Sequence, residues 1–137
     1  MKNSNKGITN IGDPEFRTRM MREVVAHVKK HGKLHVPLLA LVSCFIDGLA
    51  RGPKSKTKKA YITYLKKHFP ELCRELGPEA FYTKFRCATI HEFSIKEGYG
   101  IARDSYMKGS YVKYADNILW LNIDKLVDDF LAHIEKI

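Results

Sequence analysis

Apolar side chains recur three and four positions apart along most of this chain, and the runs are punctuated by glycine and proline. A repeat near 3.6 residues builds amphipathic helices, and the punctuation marks where each one stops. Asp13 before Pro14 is a helix start. Phe16, Met20, Met21, Val24, Val25 and Val28 then keep helical spacing until Gly32. A second, more buried helix is expected from about Pro37 to Ala50, with Arg51-Gly52-Pro53 as the following break. A third carries Tyr61, Tyr64, Leu65 and Phe69 on one side and ends at Pro70. Gly77-Pro78 opens a fourth, because proline is tolerated at a first helical position. From Gly98 to Leu121 the pattern changes to short runs rich in Tyr, Val, Ile and Trp, separated by the turn-forming pairs Lys108-Gly109 and Asp116-Asn117. These predict two or three short antiparallel strands. Helical spacing returns with Ile123, Leu126, Val127, Phe130, Leu131 and Ile134. The expected fold is mainly α, a helical bundle with a small antiparallel β-hairpin insertion before the C-terminal helix. It forms one domain over 1–137, with 1–12 as a flexible arm.

The chain has 137 residues, 45% of them apolar, which suffices for one modest core. Its longest nearly unbroken apolar run, Val36 to Ile46, is about half the roughly 20 residues a membrane span needs. The first ten residues lack the apolar stretch of a secretory signal, so a cytoplasmic location is expected. Cys44, Cys73 and Cys87 are odd in number and form no Cys-x-x-Cys pair, which suits reduced thiols. Charge separates the partners that fit from those that do not. Lys and Arg number 24 against 15 acids, a net +9. Residues 1–69 hold 15 basic side chains against 4 acidic ones, whereas 70–137 hold 9 against 11. A strongly positive half joined to a slightly negative one describes a surface with a face suited to polyanions. Its densest cluster is Arg51, Lys54, Lys56, Lys58 and Lys59, a candidate nucleic-acid contact.

The stretch Phe85-Arg86-Cys87-Ala88-Thr89-Ile90-His91-Glu92-Phe93 carries the most chemistry. At 100° per residue, Phe81, Phe85, Ala88 and Thr89 define an inward face, with Arg86 and His91 on opposite flanks of it. Glu92 would then project into the middle of that face if the helix continues that far, so either the helix ends there or the carboxylate is paired with a cation. His91, Lys96 or the Arg86 of a second copy are the options. RNA cleavage requires loss of the 2′-OH proton, stabilisation of charge on phosphorus and protonation of the leaving oxygen. An imidazole performs the first or last, and a guanidinium the second. The competing reading makes Arg86 and His91 an edge-of-core pair.

Arg86 followed after four residues by His91 resembles the R-x4-H motif of the HEPN superfamily, a compact helical fold found in toxin, CRISPR-associated and other defence ribonucleases. FRCATIHEF, followed by Lys96 and GIARD, is also similar to a group of bacterial proteins in which an Arg-rich helix ending in His precedes a short hairpin and a closing helix. The resemblance covers Pro78 to the C-terminus. It implies a homodimer in which Arg86 and His91 of two chains face one phosphate, with no metal or other cofactor. Arg86 would hold the phosphate and His91 move the proton, with Glu92 and Lys96 as supporting groups. A toxin or defence role, with an antitoxin partner, is a further implication. The residue after the motif Arg is commonly polar in that family and is Cys87 here. Members that bind nucleotides or proteins without cleaving also exist.

Other signals compete. Tyr99, Arg103, Tyr106, Lys108, Tyr111, Lys113 and Tyr114 interleave rings and charges as a base-stacking surface does, although tyrosine is also an ordinary strand former. Glu23, His27 and His31 share one helix face at ligand spacing, but Lys29, Lys30 and Lys33 repel a cation, so no metal is expected there. Cys87 beside His91 is a minor nucleophile candidate. The expected function is RNA binding with metal-independent cleavage. The alternative is a non-catalytic module that binds nucleic acid, nucleotide or protein.

Overall fold

The computed structural model describes residues 14–30, 35–51, 57–92 and 94–137, so the 1–12 arm lies outside the described residues. The chain is mainly helical with one small sheet. Helix α1 (Pro14–Lys30) and helix α2 (His35–Ala50) cover the first two periodic runs. Helix α2 is apolar nearly throughout and serves as the central element, packed on α1, on α3 (Thr57–His68) and on the last helix, α8 (Ile123–Glu135). Its Leu38, Leu39, Val42 and Ile46 are buried. They meet Tyr61 and Leu65 of α3, Phe81 and Phe85 beyond it, and Leu126, Val127 and Phe130 of α8 in one core. Pro70 ends α3 as expected, and it also begins a further short helix, α4 (Pro70–Glu75). Gly77, at φ 97°, makes the sharp turn that follows, a conformation only glycine adopts cheaply.

Residues 78–92 form one continuous helix with a change of pitch inside it. Its parts are α5 (Pro78–Ala80), a π-helical segment (Phe81–Arg86) and α6 (Cys87–Glu92). The Cys87 N–H bonds the Tyr82 carbonyl five residues back rather than four. Each residue of a π turn rotates less about the axis than in an α-helix, so side chains beyond it land on different faces from those a 100° wheel assigns. The flank placement of Arg86 is corrected by this turn: Arg86 is buried, 7% exposed, and His91 and Glu92 point to solvent. Glu92 does not enter the apolar face.

The β segment differs from a hairpin alone. Strands β1 (Tyr99–Ala102), β2 (Val112–Ala115) and β3 (Ile118–Asn122) form a mixed sheet in the order β1-β3-β2. The expected hairpin is β2–β3, turning at Asp116 and Asn117 with φ 56° and 62°, the left-handed pair of a type I′ turn. Strand β1 instead pairs parallel to β3, from Tyr99 opposite Leu119 to Ala102 opposite Asn122. The sheet is therefore not purely antiparallel. Lys108-Gly109 caps a one-turn helix, α7 (Asp104–Met107), rather than joining two strands. Asp104 causes the difference, since its Oδ1 accepts from the Gly109 N–H and from Asn122 Nδ2 and closes this turn against the end of β3. Trp120 packs over Gly100 of β1, where a Cβ would lie 2.6 Å from the indole ring.

Candidate functional site

The motif arginine sits in an aromatic seat. The guanidinium carbon lies 4.9 Å from the ring centre of Tyr82 and 5.6 Å from that of Tyr61, and these two rings meet edge to face at 5.3 Å. Arg86 Nη2 donates to Asp47 Oδ2 at 3.2 Å, an ion pair whose side chains are 9% and 17% exposed. Contacts from Nη1 to the Tyr82 hydroxyl (3.5 Å) and to Cys87 Sγ (3.6 Å) are long and add little. The charge is thus held by one carboxylate and two π faces. Burial works against it, and Cys87, Tyr82 and Asp47 together raise the guanidinium pKa above its ordinary value. Tyr61 is itself anchored, donating its hydroxyl to the Ser43 carbonyl at 3.2 Å, and burial pushes its pKa well up. Arg86 Nε, Asp47 Oδ1 and Ser43 Oγ are buried with no hydrogen-bond partner among the described residues.

Asp47 is the group that the sequence reasoning missed. Its signal was present, because it is the lone acid in the apolar run His35–Ala50, and a carboxylate there needs a buried cation. What the sequence lacked was the identity of that cation, 39 residues away.

His91 is exposed in the last turn of α6, five residues or about 7.5 Å along the axis from Arg86. Within one chain the two do not converge, since one side chain enters the core and the other leaves it. Glu92 pairs with Lys96 at 3.4 Å, both about half exposed. That pair is a surface contact of small energetic weight. Cys87 is half-buried beside the guanidinium.

The basic cluster is described in part. Lys54 and Lys56 lie outside the described residues, and Arg51 is exposed just past α2, its N–H bonded to the Asp47 carbonyl. The Arg86 seat and the start of the basic segment therefore share one end of α2. Lys58 and Lys59 line a groove of about 440 Å³ along α3 with Ile62, Thr63, Lys66 and Glu79, and Lys58 reaches Glu79 at 3.3 Å. Lys66 joins the patch through helical spacing from Lys58 and Lys59.

The interleaved rings and charges after residue 98 are largely engaged within the fold. Arg103 bonds both carboxylate oxygens of Asp124 at 2.9 and 2.8 Å, and this helps hold the Asp124 carboxyl below its ordinary pKa despite burial. Tyr111 is buried and donates to Asp129 at 2.9 Å. Tyr99 packs on Phe85. Lys113 lies 4.5 Å from the Tyr106 ring centre. Tyr106 and Tyr114 alone among these rings remain exposed. Of the three residues at ligand spacing where no metal is expected, Glu23 and His27 are exposed on α1, and His31 lies outside the described residues. No helix among the described residues is long and apolar enough to cross a membrane. No protein-family model, curated protein or solved structure matches the chain.

Proposed function

We propose that the chain binds RNA and cleaves it without a metal ion, in the manner of the HEPN ribonucleases it resembles. The observation that supports this most directly is the seat of Arg86. A permanent cation is held rigid by Asp47 and two tyrosine rings, and its Nε–H is buried with its donor capacity unused among the described residues. The seat lies on a π-helical turn, a distortion that often accompanies function, immediately before the helix that ends at an exposed imidazole. Because Arg86 and His91 of one chain face different ways, the reacting pair is completed by a second chain. One His91 takes the 2′-OH proton as that oxygen attacks phosphorus. Arg86 stabilises the phosphorane charge, and the other His91 protonates the departing 5′-oxygen, leaving a cyclic phosphate. The lysines of α3 supply attraction to the backbone that is independent of sequence.

A second reading has its own observation. Asp47 already neutralises Arg86 inside a single chain, which is what an ion pair that locks α2 to the π turn would do. On that reading the protein is a polyanion-binding module without cleavage. Labelled single-stranded RNA incubated in EDTA with the parent and with His91→Ala, both confirmed folded by circular dichroism, separates the two. Cleavage by the parent that falls by roughly 10²-fold or more in the variant is expected for general acid–base catalysis. If neither cuts, or both cut equally, the binding module replaces the ribonuclease. Gel filtration of the parent should give a dimer.

A further inference from the structure

Away from the Arg86 helix, a second group of titratable side chains gathers where the end of α3 and the start of α4 meet the last turns of α8. Tyr64 and His68 lie 4.4 Å apart between ring centres, and His68 lies 4.5 Å from His133 of α8. Tyr64 and Phe69 both present edges to the His133 ring, at 5.4 and 5.5 Å. The Tyr64 hydroxyl is 2.5 Å from His133 Nε2. Burial raises the Tyr64 pKa, so the phenol keeps its proton beside the His133 ring. Beside this stack opens a cleft of about 370 Å³ lined by Lys67, His68, Glu71, Asp129, His133 and Lys136.

The two acids on its wall have partners elsewhere. Glu71 accepts from Lys125 Nζ at 3.1 Å, and Asp129 accepts from the Tyr111 hydroxyl at 2.9 Å. Lys67, His68, His133 and Lys136 have no carboxylate partner among the described residues. Two ammonium groups and two imidazoles thus border one small cleft with aromatic faces, outnumbering its two carboxylates, of which Lys125 neutralises Glu71. We propose that this cleft binds a phosphate group in its doubly charged form, such as inorganic phosphate or the monoester of a mononucleotide. A tetrahedral oxyanion offers more acceptors than a carboxylate, which matches donors arriving from two helices. The volume is at the small end of ordinary ligand pockets, near that of a single nucleotide.

Proton linkage follows from the same arrangement. In the free cleft the rings are disfavoured as cations, His68 by burial and Lys67, His133 by burial, His68 and Lys136. Glu71 and Asp129 face the same space but are held by Lys125 and Tyr111. A bound dianion supplies the missing negative charge, so binding draws protons onto the imidazoles, and affinity for the dianion weakens as the rings deprotonate. The inference is independent of chemistry at His91.

The test is an NMR titration of the histidine ring protons of the full chain, in chloride, in inorganic phosphate at equal ionic strength, and in adenosine monophosphate. The His68 and His133 midpoints should rise by roughly half a pH unit or more in phosphate. Lys67→Ala combined with Lys136→Ala, both exposed positions that the fold tolerates, should abolish that rise. His133→Gln should weaken phosphate binding about tenfold. A mononucleotide effective at lower concentration than phosphate identifies a nucleoside monoester, and equal potency identifies the bare oxyanion. Midpoints unchanged between chloride and phosphate, equal movement of all histidines, or a shift retained in the double lysine variant would each overturn the site.

Discussion

Among the described residues Arg86 is the buried charged side chain, 9% exposed and set against one carboxylate and two rings. Taking such a pair from water costs several kcal/mol per ion before its attraction is counted, so breaking it is worse than replacing it. Arg86→Ala should therefore destabilise the fold by about 3 kcal/mol, the lower end for a broken buried pair, because a partly exposed Asp47 is left without its cation. The double variant Arg86→Met with Asp47→Leu should recover most of that loss, and urea midpoints of the three proteins decide it. A larger loss in the double variant than in Arg86→Ala would mean that the rings, rather than the carboxylate, hold the arginine. The sequence marked Arg86 as a candidate through its spacing to His91, yet gave it a flank rather than a buried seat. The π turn between Phe81 and Arg86 made that difference, and a fixed 100° wheel has no means of anticipating it.

Among the elements, α8 owes its start to one buried asparagine. Asn122 is fully buried and caps the helix, its Oδ1 accepting from the Lys125 N–H at 3.0 Å. Its Nδ2 donates to Asp104 Oδ1 and to the Ser110 carbonyl at 2.9 and 3.0 Å, which joins α7, β3 and α8 at one point. Asn122→Ala should cost about 2 kcal/mol, the upper end for a lost cap, since two further acceptors lose a donor. Chemical denaturation measures it. The packing of α3 on α8 carries a pH dependence of definite sign. His68 and His133 have lowered pKa values, mainly through burial, so near neutrality both states hold them neutral. As pH falls through about 6.5 the unfolded chain takes up protons that the folded chain resists, and stability decreases until the folded rings protonate as well. The slope of urea midpoint against pH between about 7 and 5.5 should be shallower in His133→Gln. An unchanged slope would place the titration elsewhere. At this scale the helices were legible because their apolar spacing is local information. The parallel partner of β1 was not legible, because it lies some twenty residues along the chain and no turn signal announces it.

Across the whole molecule, the charge asymmetry seen in the sequence acquires a location. Lys58, Lys59 and Lys66 border a single groove, with Arg51 at the nearby end of α2. If that surface carries RNA, replacing the three lysines by Ala should lower the slope of log affinity against log salt by about 2, near 0.7 for each phosphate contact on a single strand. Fluorescence anisotropy at several salt concentrations reads this directly, and a slope unchanged by the triple substitution would move the contact off α3. The five main helical runs, the dominance of helix over strand, the β2–β3 turn and the net charge were determined by the sequence alone. Each depends on residues close in the chain or on composition, where spacing and charge act without knowledge of distant neighbours. Tertiary structure alone decided that Asp47 holds Arg86, that Tyr111 and Arg103 are taken up by Asp129 and Asp124, and that His68 meets His133. In those pairs the partners are separated by 18 to 65 residues, and burial fixes which charge each polar group must answer.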